Sequence, residues 1–197
     1  MSTNKIALIV ICIIVLGCMK SKLSDKQEST TESPIETLIY TKEWSDIFMS
    51  QRNSEWTSGL IFYTSKEGKV TELGAKLSKG TYIVALWDST TQNLLAHTSV
   101  TVYDSTKFAY TKIEDIQISP GKPYIVTVNN TPIGLPYHEY WVYYFANVSD
   151  YFPNTIGNIT FTMQCSKATP NQLSIFPFEW SRIYLAGLPA FKFVADN

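Results

Sequence analysis

From Leu94 to Tyr103 the chain alternates without a break. Leu94, Ala96, Thr98, Val100 and Val102 fall on one side of an extended backbone, and Leu95, His97, Ser99, Thr101 and Tyr103 on the other. A period of two is what a β-strand imposes, because successive side chains leave the pleat in opposite directions. Comparable short segments recur: Gly59 to Tyr63, Val70 to Leu77, Thr81 to Trp87, Tyr110 to Ile118, Tyr124 to Val128, Glu139 to Ala146, Ile159 to Cys165 and Phe191 to Val194. Turn-forming runs separate several of them: Lys66-Glu67-Gly68-Lys69, Ser78-Lys79-Gly80, Asp88-Ser89-Thr90-Thr91 and Ser119-Pro120-Gly121-Lys122. The chain is rich in Tyr, Thr, Val, Ile, Phe and Trp, which suit a pleated, half-buried surface. Short strands with regularly spaced turns predict an all-β fold, an antiparallel β-sandwich of jelly-roll or immunoglobulin-like type. No long helical period alternates with the strands, which disfavours a parallel α/β architecture. Leu38 to Trp56 reads both ways: Tyr40, Trp44, Ile47 and Phe48 fit a helical face, while Thr37 to Tyr40 fits a first strand.

The N-terminus carries an address. Lys5 lies in a short polar head, an apolar run of 11 residues follows from Ile6 to Leu16, and Gly17-Cys18 closes it. Spanning a bilayer takes about 20 apolar residues, so this run reads as a signal peptide over residues 1–17. Val15-Leu16-Gly17-Cys18 resembles the lipobox of bacterial lipoproteins, in which cleavage leaves an acylated cysteine at the new N-terminus. The resemblance implies lipidation of Cys18. Each buried acyl CH₂ contributes about 0.8 kcal/mol, so several chains on one residue anchor stably. Met19 and Lys20 follow the cysteine, without the Asp that retains many lipoproteins at the inner membrane. The expected location is therefore the outer membrane of the cell envelope. Residues 18–37 are polar and read as the lipidated cysteine and a disordered tether with a reach of roughly 24 Å; residues 38–197 read as the sandwich domain.

The order Gly59-Leu60-Ile61-Phe62, Gly68-Lys69-Val70-Thr71-Glu72-Leu73-Gly74, Gly80-Thr81-Tyr82-Ile83-Val84-Ala85-Leu86-Trp87-Asp88, Leu94-Leu95-Ala96 and Ile118-Ser119-Pro120-Gly121-Lys122-Pro123-Tyr124-Ile125-Val126 resembles the bacterial domain of unknown function numbered four thousand and eighty-two. The resemblance runs from about Trp56 to the C-terminus and fades between Asn129 and Pro170. It implies a secreted β-sandwich of the kind attached to adhesive or sugar-active proteins, and it supplies no catalytic residues.

The residues themselves point away from catalysis. The formal charge is −1, with no basic footprint for nucleic acid. There are two histidines. His97 reads as a half-exposed strand residue, and His138 beside Glu139 has no further histidine at metal-ligand spacing. No nucleophile elbow, phosphate loop or calcium loop is present. No cofactor is called for. With Cys12 in the signal and Cys18 acylated, Cys165 is left without a disulfide partner and reads as a small core residue. What stands out is a run of eight aromatics between Tyr137 and Phe152. In a strand over this run, Tyr140 and Tyr144 point one way, and Trp141, Tyr143 and Phe145 the other. A sandwich buries one face of each sheet, so one set meets a covering loop such as Ser174 to Trp180, a protein partner or a sugar ring. The candidate ligand-binding residues are Tyr137, Tyr140, Trp141, Tyr143, Tyr144 and Trp180. The expected function is a lipid-anchored, non-catalytic envelope module for a glycan or an envelope protein. The alternatives are a structural module without a small ligand and, further behind, a hydrolase using His138 and Glu139.

Overall fold

The computed structural model describes residues 30–52, 54–135, 138–147, 152–168, 176–181 and 183–197. The signal peptide, Cys18 and most of the expected tether lie outside the described residues, as does Tyr137. The described residues form antiparallel sheets packed against one another and do not close into a barrel. In chain order the elements are β1 (Thr31–Glu32), α1 (Pro34–Thr41), β2 (Trp44–Arg52), β3 (Trp56–Thr64), β4 (Gly68–Ala75), β5 (Gly80–Asp88), β6 (Leu94–Val102), β7 (Ala109–Ile118), β8 (Tyr124–Asn129), β9 (His138–Phe145), β10 (Asn154–Ile156), β11 (Ile159–Ala168), β12 (Glu179–Ser181), β13 (Tyr184–Ala186) and β14 (Pro189–Ala195).

Two sheets make the sandwich. The larger runs β10-β11-β3-β8-β5-β6, with β12 added beside β11; the smaller runs β1-β14-β4-β7. Alternation decides what lies between them. Val84, Leu86, Val100, Val126 and Val128 point inward from the large sheet, and Val70, Leu73, Phe191 and Phe193 from the small one. Phe62 sits at the centre, stacked on Phe191 with ring centroids 4.4 Å apart and met edge-on by Phe161 at 6.4 Å. Each such side chain contributes about 1.5–3 kcal/mol through its removal from water, so this aromatic and aliphatic layer is the main source of cohesion.

The β6 alternation appears as expected: Val100 and Val102 are buried, while His97 and Ser99 are exposed. The ambiguous segment resolves into both forms at once. Pro34, in the first helical turn where its missing N–H costs nothing, opens α1, and Ile35, Leu38 and Ile39 at helical spacing are buried in the core. Trp44 Nε1 then donates to the Ile39 carbonyl at 3.0 Å, which satisfies an end group of the helix, and the chain continues as β2. The fold thus begins before Leu38: Thr31–Glu32 pairs with β14, and the first half of the helix, Pro34 to Thr37, occupies residues read as tether.

The reverse face of the large sheet carries its own cluster of Ile61, Ala85, Trp87, Ile125 and Cys165. Phe176 lies across Trp87 edge to face, at 6.0 Å and 82°. Cys165 is fully buried there, and burial pushes its thiol pKa up, as for a core residue. Phe176, from the segment weighed as one possible cover for the aromatic strand, therefore packs on the opposite side of the large sheet. A third sheet, β13-β9-β2, covers one end of the large sheet's front face.

Candidate functional site

β9 is the middle strand of the third sheet, with β2 and β13 antiparallel on either side. Its two faces lead to different places, divided as the alternation requires.

The odd-numbered face belongs to the interior. Tyr143 and Phe145 are buried; Phe145 meets Phe152 at 5.6 Å, and Trp44 packs on both. Trp141 is half-buried, with Nε1 donating to the Ser105 carbonyl at 3.0 Å. These rings surround a buried lysine. Lys76 Nζ donates to the Tyr143 hydroxyl at 3.1 Å and lies 5.4–5.9 Å from the centroids of Tyr40, Phe108, Trp141 and Tyr143. Ring quadrupoles at that range attract a cation. Burial nevertheless lowers the lysine's pKa, the Glu36 carboxylate opposing only in part. Burial also pushes the Tyr143 phenol up to about 12. Trp141 and Tyr143 thus hold the third sheet against the body of the molecule.

The even-numbered face opens onto a cleft of about 250 Å³ between the third sheet and the end of the large sheet. Its roof is aromatic: Phe48 from β2, Tyr140, Val142 and Tyr144 from β9, and Tyr184 from β13. Tyr184 stands directly opposite Tyr144 in the register, and Phe48 is diagonal to it. The three rings form a ladder across the sheet, with centroids 6.0 Å apart at 19° for Phe48–Tyr144 and 5.8 Å apart at 49° for Tyr144–Tyr184. Phe48 is exposed and Tyr144 and Tyr184 are partly so, while Tyr140 is buried deeper.

The floor is polar. Trp56 and Ser58 from β3, Gln164 and Ser166 from β11 and Asn130 just after β8 line it. Ser58 and Ser166 face each other in the register. Gln164 Oε1 accepts the Ala186 N–H at 2.7 Å and so ties floor to roof. Asn130 is the most tightly held: its backbone N–H donates to the Trp56 carbonyl at 2.8 Å and its Nδ2 to Ser58 Oγ at 2.9 Å. The residue is 1% exposed, and among the described residues its Oδ1 has no hydrogen-bond partner. A buried acceptor left in that state costs about 1–3 kcal/mol. The oxygen lies against Gly187, where φ is +70° and a Cβ would come within 2.3 Å of it. Only glycine leaves that space open.

Of the candidate residues named from sequence, Tyr140 and Tyr144 line the cleft; Trp141 and Tyr143 face the lysine cage; Tyr137 lies outside the described residues. Trp180 is half-exposed on β12 directly opposite Cys165, which puts its side chain on the reverse face of the large sheet, away from the cleft, in contrast to its expected place among the ligand-binding residues. Asn130, Gln164, Ser58, Phe48 and Tyr184 were not anticipated. For Asn130, Gln164 and Ser58 the only sequence signal is a single polar residue in or beside an apolar strand, which a local reading takes for an outward-facing position; Phe48 was read as part of a possible helical face.

Compared with known proteins, the chain matches no family profile, and no curated protein matches it.

Proposed function

We propose that this chain is a non-catalytic binding module, held at the outer membrane by lipid on Cys18, that takes its ligand in the cleft between the third sheet and the large sheet. The observation that carries this reading is the juxtaposition of the Phe48–Tyr144–Tyr184 ladder with a floor of amides and hydroxyls. A concave site lined by apolar rings with a few placed polar groups is the usual form of a small-ligand pocket. A purely structural element has no need of accessible rings on a concavity. The burial of Tyr143 and Phe145 supports a structural role for the other face of β9, so one strand serves both purposes.

The test uses the full lipidated chain on phosphatidylcholine vesicles, titrated with fractionated envelope polysaccharides and envelope proteins while tryptophan emission is followed. Trp56 in the cleft floor is the reporter. The expected result is a saturable change with at least one fraction, lost in Tyr144→Ala and kept in Trp180→Ala. Silence with every fraction would leave the aromatics as packing and favour a structural module of the envelope.

A further inference from the structure

Resting on that binding reading, we propose that the cleft takes the uncharged ring of a neutral saccharide, and that Asn130 reads one of its hydroxyl groups. The unspent hydrogen-bonding capacity of Asn130 leads to this assignment. The side chain is nearly sealed from solvent, fixed by its neighbours through the backbone and Nδ2, and left with an acceptor that nothing among the described residues uses. Turning the amide over would let Ser58 donate to the oxygen and leave an N–H unspent instead. A hydroxyl group both donates and accepts, so it satisfies Asn130 in either orientation. A carboxylate, which only accepts, satisfies only the turned-over orientation and leaves Oδ1 unpaired in the orientation seen here.

The charge of the lining argues the same way. No described lining residue is cationic, and Glu179 at the rim is an exposed carboxylate. An anionic ligand would meet the Glu179 carboxylate with no compensating cation among the described lining residues. A pyranose has an apolar C–H face and a polar hydroxyl rim, which match the ring ladder of the roof and the amides of the floor. The volume, about 250 Å³, lies just below the roughly 300–1,000 Å³ of drug-sized pockets. That suits one or two rings at a chain end rather than a long stretch of polymer.

The experiment is calorimetric titration of the full chain in a zwitterionic detergent that carries no sugar headgroup. The probes are neutral gluco-, manno- and N-acetylglucosamine oligosaccharides, hexuronate oligomers of the same length, and an extended uncharged peptide. At least one neutral sugar is expected to bind saturably, the hexuronates at least tenfold more weakly. Asn130→Ala should weaken the sugar at least tenfold with the near-ultraviolet circular dichroism unchanged. Should that variant not fold, Phe48→Ala at the exposed end of the ladder replaces it, with the same loss expected. Equal affinity for hexuronates overturns the neutral-ligand assignment, and undiminished binding by Asn130→Ala overturns the role of Asn130. Binding of the peptide with no sugar bound overturns the inference while leaving a binding module standing. Absence of binding to every probe here, together with silence in the envelope-fraction titration, removes both.

Discussion

At the scale of single residues, the molecule places unusual groups where a neighbour makes sense of them. Gly187 is the clearest. Its φ is positive, and a methyl group at its Cα would approach Asn130 Oδ1 to 2.3 Å, so Gly187→Ala should cost about 2 kcal/mol or more in urea denaturation. Because the obstruction is the Asn130 side chain, Asn130→Ala in the same chain should recover part of that loss; strict additivity would show the two do not touch. The lysine cage predicts a pH profile. A lysine whose folded pKa is depressed lends stability above its ordinary pKa of 10.5 and loses it as pH falls through the folded value. A tyrosine raised to about 12 has the opposite sign: its stability is complete below pH 10 and goes as pH rises through 12. Thermal melts should therefore show stability climbing toward pH 10 and falling beyond it. Lys76→Met should flatten the climb while changing stability near neutrality by only about 1 kcal/mol, since the lost cation–π attraction is offset by relief of desolvation. An unaltered climb in that variant would assign it to another group.

At the scale of elements, the strands of the sandwich were legible because their pattern is local. The period of two in β6 is enough to know which of its residues enter the core, and the division of β9 into two aromatic faces follows from the same rule. Less legible were elements whose conformation depends on distant partners. α1 is short for independent stability; it exists because Ile35, Leu38 and Ile39 find the sandwich core, mainly β14 and β10. β12 and β13, at three residues each, carry too few positions to show a period. The polar cleft floor was hidden for a different reason. Gln164 and Ser166 point to the same side of the sheet as the core, and only the third sheet leaves a space above them. The helix gives the prediction for this scale: Leu38→Ala should cost about 3 kcal/mol by denaturant unfolding. A chain beginning at Lys42 should lose the cooperative transition, whereas one beginning at Thr30 should keep it.

At the scale of the whole molecule, the two ends of the sandwich are distinct. Glu32, where the described chain enters, receives the Asn158 backbone N–H at 2.9 Å, and Ser65 beside it donates to the Asn158 carbonyl at 2.9 Å. The cleft lies at the other end of β3, eight residues and about 26 Å away at roughly 3.3 Å per residue. On the proposed anchor at Cys18, the cleft lies at the end of β3 remote from Glu32, and we expect it to stand clear of the lipid. Affinity for a cleft ligand should be the same for vesicle-bound protein as for protein released by cutting the tether; a marked loss on vesicles would place the opening toward the bilayer. The third sheet has one more consequence, and it concerns time. Its strands come from residues 44–52, 138–145 and 184–186, with Phe48 paired to Val142 and Tyr144 to Tyr184. Contacts so far apart along a chain form slowly, since loop closure must precede any gain from pairing. The roof of the cleft cannot assemble until Tyr184 to Ala186 is free to pair with β9, so a chain cut short before Tyr184 leaves the aromatic ladder without its third ring.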